Sequence, residues 1–167
     1  MNLNRIIVLG NSGSGKSWIA KNLASAMSSE WIDLDTIHWE PGGYGVARDR
    51  LVSLQMAKQH AENNKWVIEG IYGWIIEEIQ IHATYLVWLK INELECIENI
   101  KSRGIRGNGT EESFSALLNW AGSYRTRTGS SSFDGHQAIF NKFSGNKITL
   151  TSRTSIDEFL SSIGSKI

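Results

Sequence analysis

The chain has 167 residues, a length that suits one domain with a core of ordinary size and would leave two independent domains marginal. Its 17 Lys and Arg balance 17 Asp and Glu, so no global field recruits nucleic acid or an anionic membrane, and any anion-binding power must be local. The single cysteine, Cys96, excludes an internal disulfide, no Cys/His cluster has zinc spacing, and no apolar run is long enough to span a bilayer.

Met1 leads almost at once into an apolar strand, without a basic leader and a long apolar stretch, so the expected location is the cytoplasm. That strand, Arg5 to Leu9, runs directly into Gly10-Asn11-Ser12-Gly13-Ser14-Gly15-Lys16-Ser17, which fulfils the phosphate-loop pattern G-x-x-x-x-G-K-[ST]. Glycines let successive N–H groups aim at one point, the Lys adds a full charge, and the hydroxyl can sit on Mg²⁺. A helix over Ser17 to Met27 follows, with Ile19, Ala20, Leu23, Ala24 and Met27 on one face, so its positive dipole end points at the same phosphates. A plain Gly/Ser turn is the alternative, and strand, loop and helix in this order weigh against it. The loop leaves the fate of the γ-phosphate open: transfer, hydrolysis or sensing.

Further apolar runs at Trp31 to Leu34, Trp66 to Ile68, Tyr85 to Leu89 and Ile148 to Leu150 alternate with helical patterns. This predicts an α/β fold, a parallel sheet covered by helices on both faces through right-handed crossovers. The second strand ends in Asp33-Leu34-Asp35, where period-two spacing puts both carboxylates on one side, suited to Mg²⁺ and its waters or to a hydroxyl awaiting deprotonation. Capping of the next turn is the alternative for both. Thr36 to Ala47, with His38, Trp39, Pro41 and three glycines, reads as a loop walling a substrate pocket. Arg48 opens a helical stretch to about Asn63 and is either a two-pronged grip on phosphate or carboxylate or a solvated helix residue.

Glu69 ends the third apolar strand, Trp66 to Tyr72, where a lone acid is costly unless it meets a cation, water or donors; Mg²⁺ is one such partner and a turn cap another. Gly70 lets the backbone approach a ligand, and Tyr72 can stack on it or hydrogen-bond to it. Past the fourth strand, Asn92 to Glu95 reads as a helix start, with Leu94, Ile97 and Ile100 inward and an end near Arg103. Gly104, Gly107 and Gly109 then suit a flap carrying Arg103 and Arg106, and Arg125 and Arg127 extend the basic window. At least one of these four arginines is expected to touch phosphate, with an exposed basic face as the plainer reading.

Phe133 to Phe143 reads as a core helix. The fifth strand, Lys147 to Leu150, leads into Thr151-Ser152-Arg153, which could hold adenine through backbone groups and an Arg stack, and Ser155 to Glu158 caps a last helix burying Ile156, Phe159, Leu160 and Ile163. With seven Trp in this length, some are expected to line a cleft, Trp18 and Trp39 among the candidates.

The phosphate loop, Asp-Leu-Asp, Glu-Gly and an arginine-bearing flap resemble the adenylate kinase-like small-molecule kinases. Leu34-Asp35, Trp39-Glu40-Pro41-Gly42, Arg48 and Trp66-Val67-Ile68-Glu69-Gly70-Ile71-Tyr72 are similar to segments of the topology modulation (FlaR-like) proteins. That resemblance implies a five-stranded parallel sheet in the order 2-3-1-4-5, with ATP on Gly10 to Ser17, Trp18, Ser152 and Arg153. It implies a lid over about 103–127 within one domain, and an acceptor among Asp33, Asp35, Trp39, Arg48, Glu69, Gly70, Tyr72 and Arg125. Ser17, Asp35 and Glu69 would serve Mg²⁺, and Lys16, Asp35, Arg103 and Arg106 the chemistry. Glu69 stands where Asp is usual, Trp18 where a small residue is common, and the flap is short. The expected activity is ATP-dependent phosphoryl transfer to a small acceptor, by a monomer or homodimer that contacts neither nucleic acid nor membrane. A nucleotide-binding regulator of DNA topology and a plain NTPase are the alternatives.

Overall fold

The computed structural model describes residues 2–42 and 45–164. From Ile6 onward β1 (Arg5–Gly10) is buried along its whole length, which requires a strand on each side and helices above and below. Those neighbours are β3 (Trp66–Gly70) and β4 (Tyr85–Leu89), with β2 (Glu30–Asp33) and β5 (Asn146–Leu150) at the edges, all parallel, in the order β2-β3-β1-β4-β5. Period-two alternation divides the core. Ile6 and Val8 pack with α1 (Lys16–Met27) and α8 (Arg153–Gly164), while Ile7 and Leu9 pack with α2 (Leu34–His38), α3 (Arg50–Ala61), α4 (Gly73–Ile79) and α7 (Phe133–Lys142). α5 (Glu93–Arg103) and α6 (Glu111–Gly122) complete the chain and pack on each other.

Several expectations are corrected. Asp33 and Asp35 do not share one side of a strand: β2 stops at Asp33, whose side chain accepts a hydrogen bond from the Asp35 N–H at 2.9 Å and so caps α2. Thr36 to His38 is therefore helix where a loop was expected. α3 begins at Arg50 because the Asp49 carboxylate caps it through the N–H groups of Leu51 and Val52, leaving Arg48 outside. Leu94 faces outward, 73% exposed, since the face that α5 buries carries Cys96 and Ile100, and Leu94 lies about 200° around the helix from Cys96. α8 starts three residues earlier than a cap at Ser155 implies: Ser152 and Ser155 exchange hydrogen bonds, each hydroxyl accepting from the other's N–H at 3.1 Å. Unlike these, the helix expected within the lid window is present: α6, begun by a capping box of Thr110 and Ser113.

Candidate active site

The phosphate loop joins β1 to α1 with Gly13 and Gly15 at φ 78° and 93°. Gly13 is required on two counts: that φ disfavours any side chain, and a Cβ would lie 2.3 Å from the Cys96 carbonyl oxygen. α1 has no side-chain cap and no acid in its first turn, so its N–H groups and positive dipole end stay uncompensated by the protein, as an anion site needs. Lys16 Nζ donates to the Asn11 carbonyl at 2.7 Å, as does the Ser14 hydroxyl at 2.8 Å. Two amides brace the loop: its own buried Asn11 donates outward to Ala121 O at 2.8 Å, and Asn99 of α5 donates to Gly13 O at 3.0 Å.

Sheet register sets the acids beside this loop. Glu69 is paired with Asp33 on one side and Val8 on the other, one residue before the Leu9–Gly70 pair. Glu69 is 2% exposed, and its Oε1 is buried without a hydrogen-bond partner. Burial pushes its carboxyl up to about 7; Asp33 and Asp35 add to the rise, while Lys16 and a hydrogen bond from Ser17 oppose it. Burial likewise raises Asp33, with Asp35 adding to it and Lys16 and Lys21 opposing. Asp35, in the first turn of α2, accepts a 2.6 Å hydrogen bond from the Tyr72 hydroxyl.

Beyond Asp35 lies an aromatic group. The His38 ring packs on Tyr72 at 4.4 Å and edge-on to Trp39 at 4.7 Å, and Arg50 covers the Trp74 face at 4.3 Å. Burial lowers the His38 pKa against the pull of Asp35. Arg48 closes the end of α2: its Nη1 donates to Ile37 O at 2.5 Å and Thr36 O at 3.2 Å, and its Nη2 lies 3.5 Å from Glu40. Gly70 packs under Leu34, where a Cβ would meet it at 2.8 Å, so its smallness serves the joint between β3 and α2.

The four basic-window arginines separate. Arg125 pairs with Glu93 at 2.9 Å, an ion pair without hydrogen-bond alignment, and lies 4.0 Å from the Phe133 ring centre. Arg127 donates to the carbonyls of Trp120 and Ser131 and stacks on Trp120, so it holds the α6–α7 connection. Arg103 and Arg106 are exposed at the α5–α6 corner. Arg103 stands one turn beyond Asn99 on the face of α5 that meets Gly13, which puts it on the loop side.

Arg153 lies 3.8 Å over the Trp18 ring, beside a cavity of about 290 Å³ lined by Ser14, Gly15, Trp18, Glu95, Asn99 and Arg153 among others. A wider groove of about 460 Å³ runs along α3 and contains none of the residues above. Among the described residues no three His, Cys, Asp or Glu side chains form a metal cage, and no helix is long and apolar enough to cross a membrane. Hydroxyl and carboxylate oxygens from Ser17, Asp35 and Glu69, whose Oε1 has no partner, fit Mg²⁺, which keeps most of its ligands as water and phosphate oxygen. The sequence reading missed Asn99, whose four-residue spacing from Arg103 could have signalled it, and His38, which was seen only as part of a loop.

A G-x-x-x-x-G-K-S loop after the central strand of a 2-3-1-4-5 parallel sheet, with acids at the neighbouring strand ends, makes this an α/β fold of the kind seen in solved P-loop kinases. Solved structures that share it include the following three. A gluconokinase from Sinorhizobium meliloti 1021 is 17% identical, with TM-score 0.60, covering 98% of this chain and 90% of its own. Shikimate kinase from Bacteroides thetaiotaomicron is 16% identical, with TM-score 0.62, covering 98% and 97%. Shikimate kinase from Acinetobacter baumannii, in complex with shikimate, is 13% identical, with TM-score 0.58, covering 99% and 95%. No protein-family profile and no curated protein sequence matches the chain.

Proposed function

We propose that the chain is an ATP- and Mg²⁺-dependent phosphotransferase acting on a small hydroxyl- or phosphate-bearing acceptor. The observation that carries this is the buried Glu69 carboxylate, unpartnered at Oε1 and facing Lys16 and Ser17, with Asp35 beyond it on the acceptor side. Ser17 donates to this carboxyl while Oε1 is left for a further partner, which a hydrated cation supplies. Lys16 and the N–H groups of Gly10 to Ser17 bind the phosphates, Trp18 and Arg153 take the base beside the Ser152 turn, whose own N–H and carbonyl are committed to the start of α8, and Ser17, Asp35 and Glu69 hold the hydrated metal. When bound, Mg²⁺ neutralises phosphate-oxygen charge. Asp35, oriented by Tyr72, receives the acceptor proton, and Arg103, with Arg106 as the alternative, spreads the charge of the transferring group. Asp33, Trp39, Gly70 and Tyr72 wall the acceptor; Arg48 acts through the end of α2 and Arg125 at the rim.

The same reading includes affiliation with the adenylate kinase-like, FlaR-like group, a single domain with residues 103–127 as its lid, and a cytoplasmic monomer or homodimer. Its test is ADP release with MgATP and a panel of nucleosides, nucleoside monophosphates, shikimate and sugar acids. One acceptor class should raise the rate at least about tenfold, and Asp35→Asn should abolish the rise. ADP release that no acceptor accelerates would make the protein a plain NTPase.

A further inference from the structure

Four groups form a buried hydrogen-bond relay that the phosphoryl-transfer reading does not use. Trp88 Nε1 lies 3.2 Å from the Tyr124 hydroxyl, that hydroxyl lies 2.6 Å from His136 Nδ1, and His136 Nε2 lies 2.9 Å from the Ile71 carbonyl. Trp88, Tyr124 and His136 are each at most 1% exposed. The direction of every bond is fixed. A carbonyl only accepts, so Nε2 carries the imidazole proton; Nδ1 must then accept from Tyr124, whose oxygen in turn accepts from the indole. Burial holds the imidazole down to about 3, so this tautomer persists at every physiological pH.

The relay ends on a turn of consequence. Ile71 O also accepts from Gly73 N at 2.9 Å, and Tyr72 between them has φ −78° and ψ 82°, the values of an inverse γ-turn. Tyr72, at the apex, donates to Asp35. Gly73 is wedged against the α6–α7 connection so closely that a Cβ would lie 1.9 Å from Ser130 O. The segment that carries Tyr124 is also tied to the phosphate loop: Ala121, three residues before Tyr124, accepts from Asn11.

We infer that His136, backed by Tyr124, is a positioning residue: its imidazole clamps the Ile71 carbonyl, fixes the turn at Tyr72, and so orients the Asp35 carboxylate. Its meaning for catalysis rests on the phosphotransferase reading; the clamp itself does not. The relay explains why a histidine and a tyrosine sit wholly inside an otherwise apolar layer.

The test uses tyrosine labelled with ¹³C at the ζ carbon, which reports the hydrogen bond of its hydroxyl, with the Tyr72 signal assigned by Tyr72→Phe. Asp35→Asn defines the shift that accompanies a weakened partner. His136→Phe and Tyr124→Phe should move the Tyr72 signal in the same direction, and His136→Gln, which keeps an N–H for Ile71 O, should restore it. A residue that merely filled space would leave the signal in place in all three variants, and that result would overturn the inference. Should His136→Phe not fold, Tyr124→Phe and the ¹⁵N spectrum of the parent imidazoles decide: an Nε2-protonated ring that does not titrate between pH 5 and 8 is expected, and an Nδ1-protonated or titrating one refutes it. Neither spectrum needs nucleotide or acceptor. Failure to bind MgATP would sink the kinase reading and leave this result standing.

Discussion

Glu69→Gln should make the protein more stable at alkaline pH relative to the parent. The carboxyl moves from 4.5 in the unfolded chain to about 7 in the fold, mainly through burial. A raised acid favours folding fully below its unfolded pKa, and that contribution is lost as pH rises through the folded value. Most of the roughly 3 kcal/mol that this rise represents, about 2 to 3 kcal/mol, falls between pH 5 and pH 8. Glutamine does not titrate, so the variant escapes this loss. Comparing the two proteins at both pH values cancels the fixed cost of placing an amide there. At about 2–4 °C per kcal/mol for a chain of this size, the melting-temperature difference, variant minus parent, should grow by roughly 5–10 °C from pH 5 to pH 8. Scanning calorimetry in metal-free buffer measures it directly. A difference that is flat or shrinks with pH would show that Glu69 is ionised at no cost, and the rationale for a cation at that oxygen would fall with it.

Gly13→Ala should lose about 1–3 kcal/mol in urea titration and bind MgATP weakly, because the new methyl meets the Cys96 carbonyl at a φ of 78°. A variant with parental affinity would show that α5 does not confine the loop. Asp35→Asn should cut acceptor-dependent turnover about 100-fold or more, a larger loss than it causes in MgATP affinity followed by tryptophan fluorescence, because only the proton transfer needs the carboxylate directly. Arg103→Ala should lower turnover by roughly 100- to 1,000-fold with the melting temperature unchanged, whereas Arg127→Ala should lower the melting temperature first, since its guanidinium bonds to Trp120 and Ser131 carbonyls. The reverse pattern would exchange the two roles.

What the sequence made legible was contiguous. The phosphate loop is an eight-residue motif between a buried strand and an amphipathic helix, so its position followed from local spacing alone. The strands were legible because a parallel sheet buried on both faces writes near-continuous apolar runs. Local hydrogen bonds defeated the reading at strand ends: the Asp33 side chain competes for the Asp35 N–H, and that one bond turns an extended segment into a helix. Arginine-rich composition around 101–127 gave a basic window, but which guanidiniums are committed depends on carbonyls exposed by α6 and its connection, and those are set by tertiary packing. His136 was invisible for the same reason. A lone histidine inside a Phe- and Ile-bearing helix reads as core, and the carbonyl it serves lies 65 residues away.

The central claim, that Gly10 to Ser17 closes around a nucleotide polyphosphate, is tested most directly by titration calorimetry of the parent and Lys16→Ala with MgATP. The parent should release heat at one site per chain, and Lys16→Ala should weaken binding by at least about tenfold, the loss of one charge-assisted contact. No heat from the parent with any Mg-nucleoside triphosphate, or equal affinity in the two proteins, would contradict it.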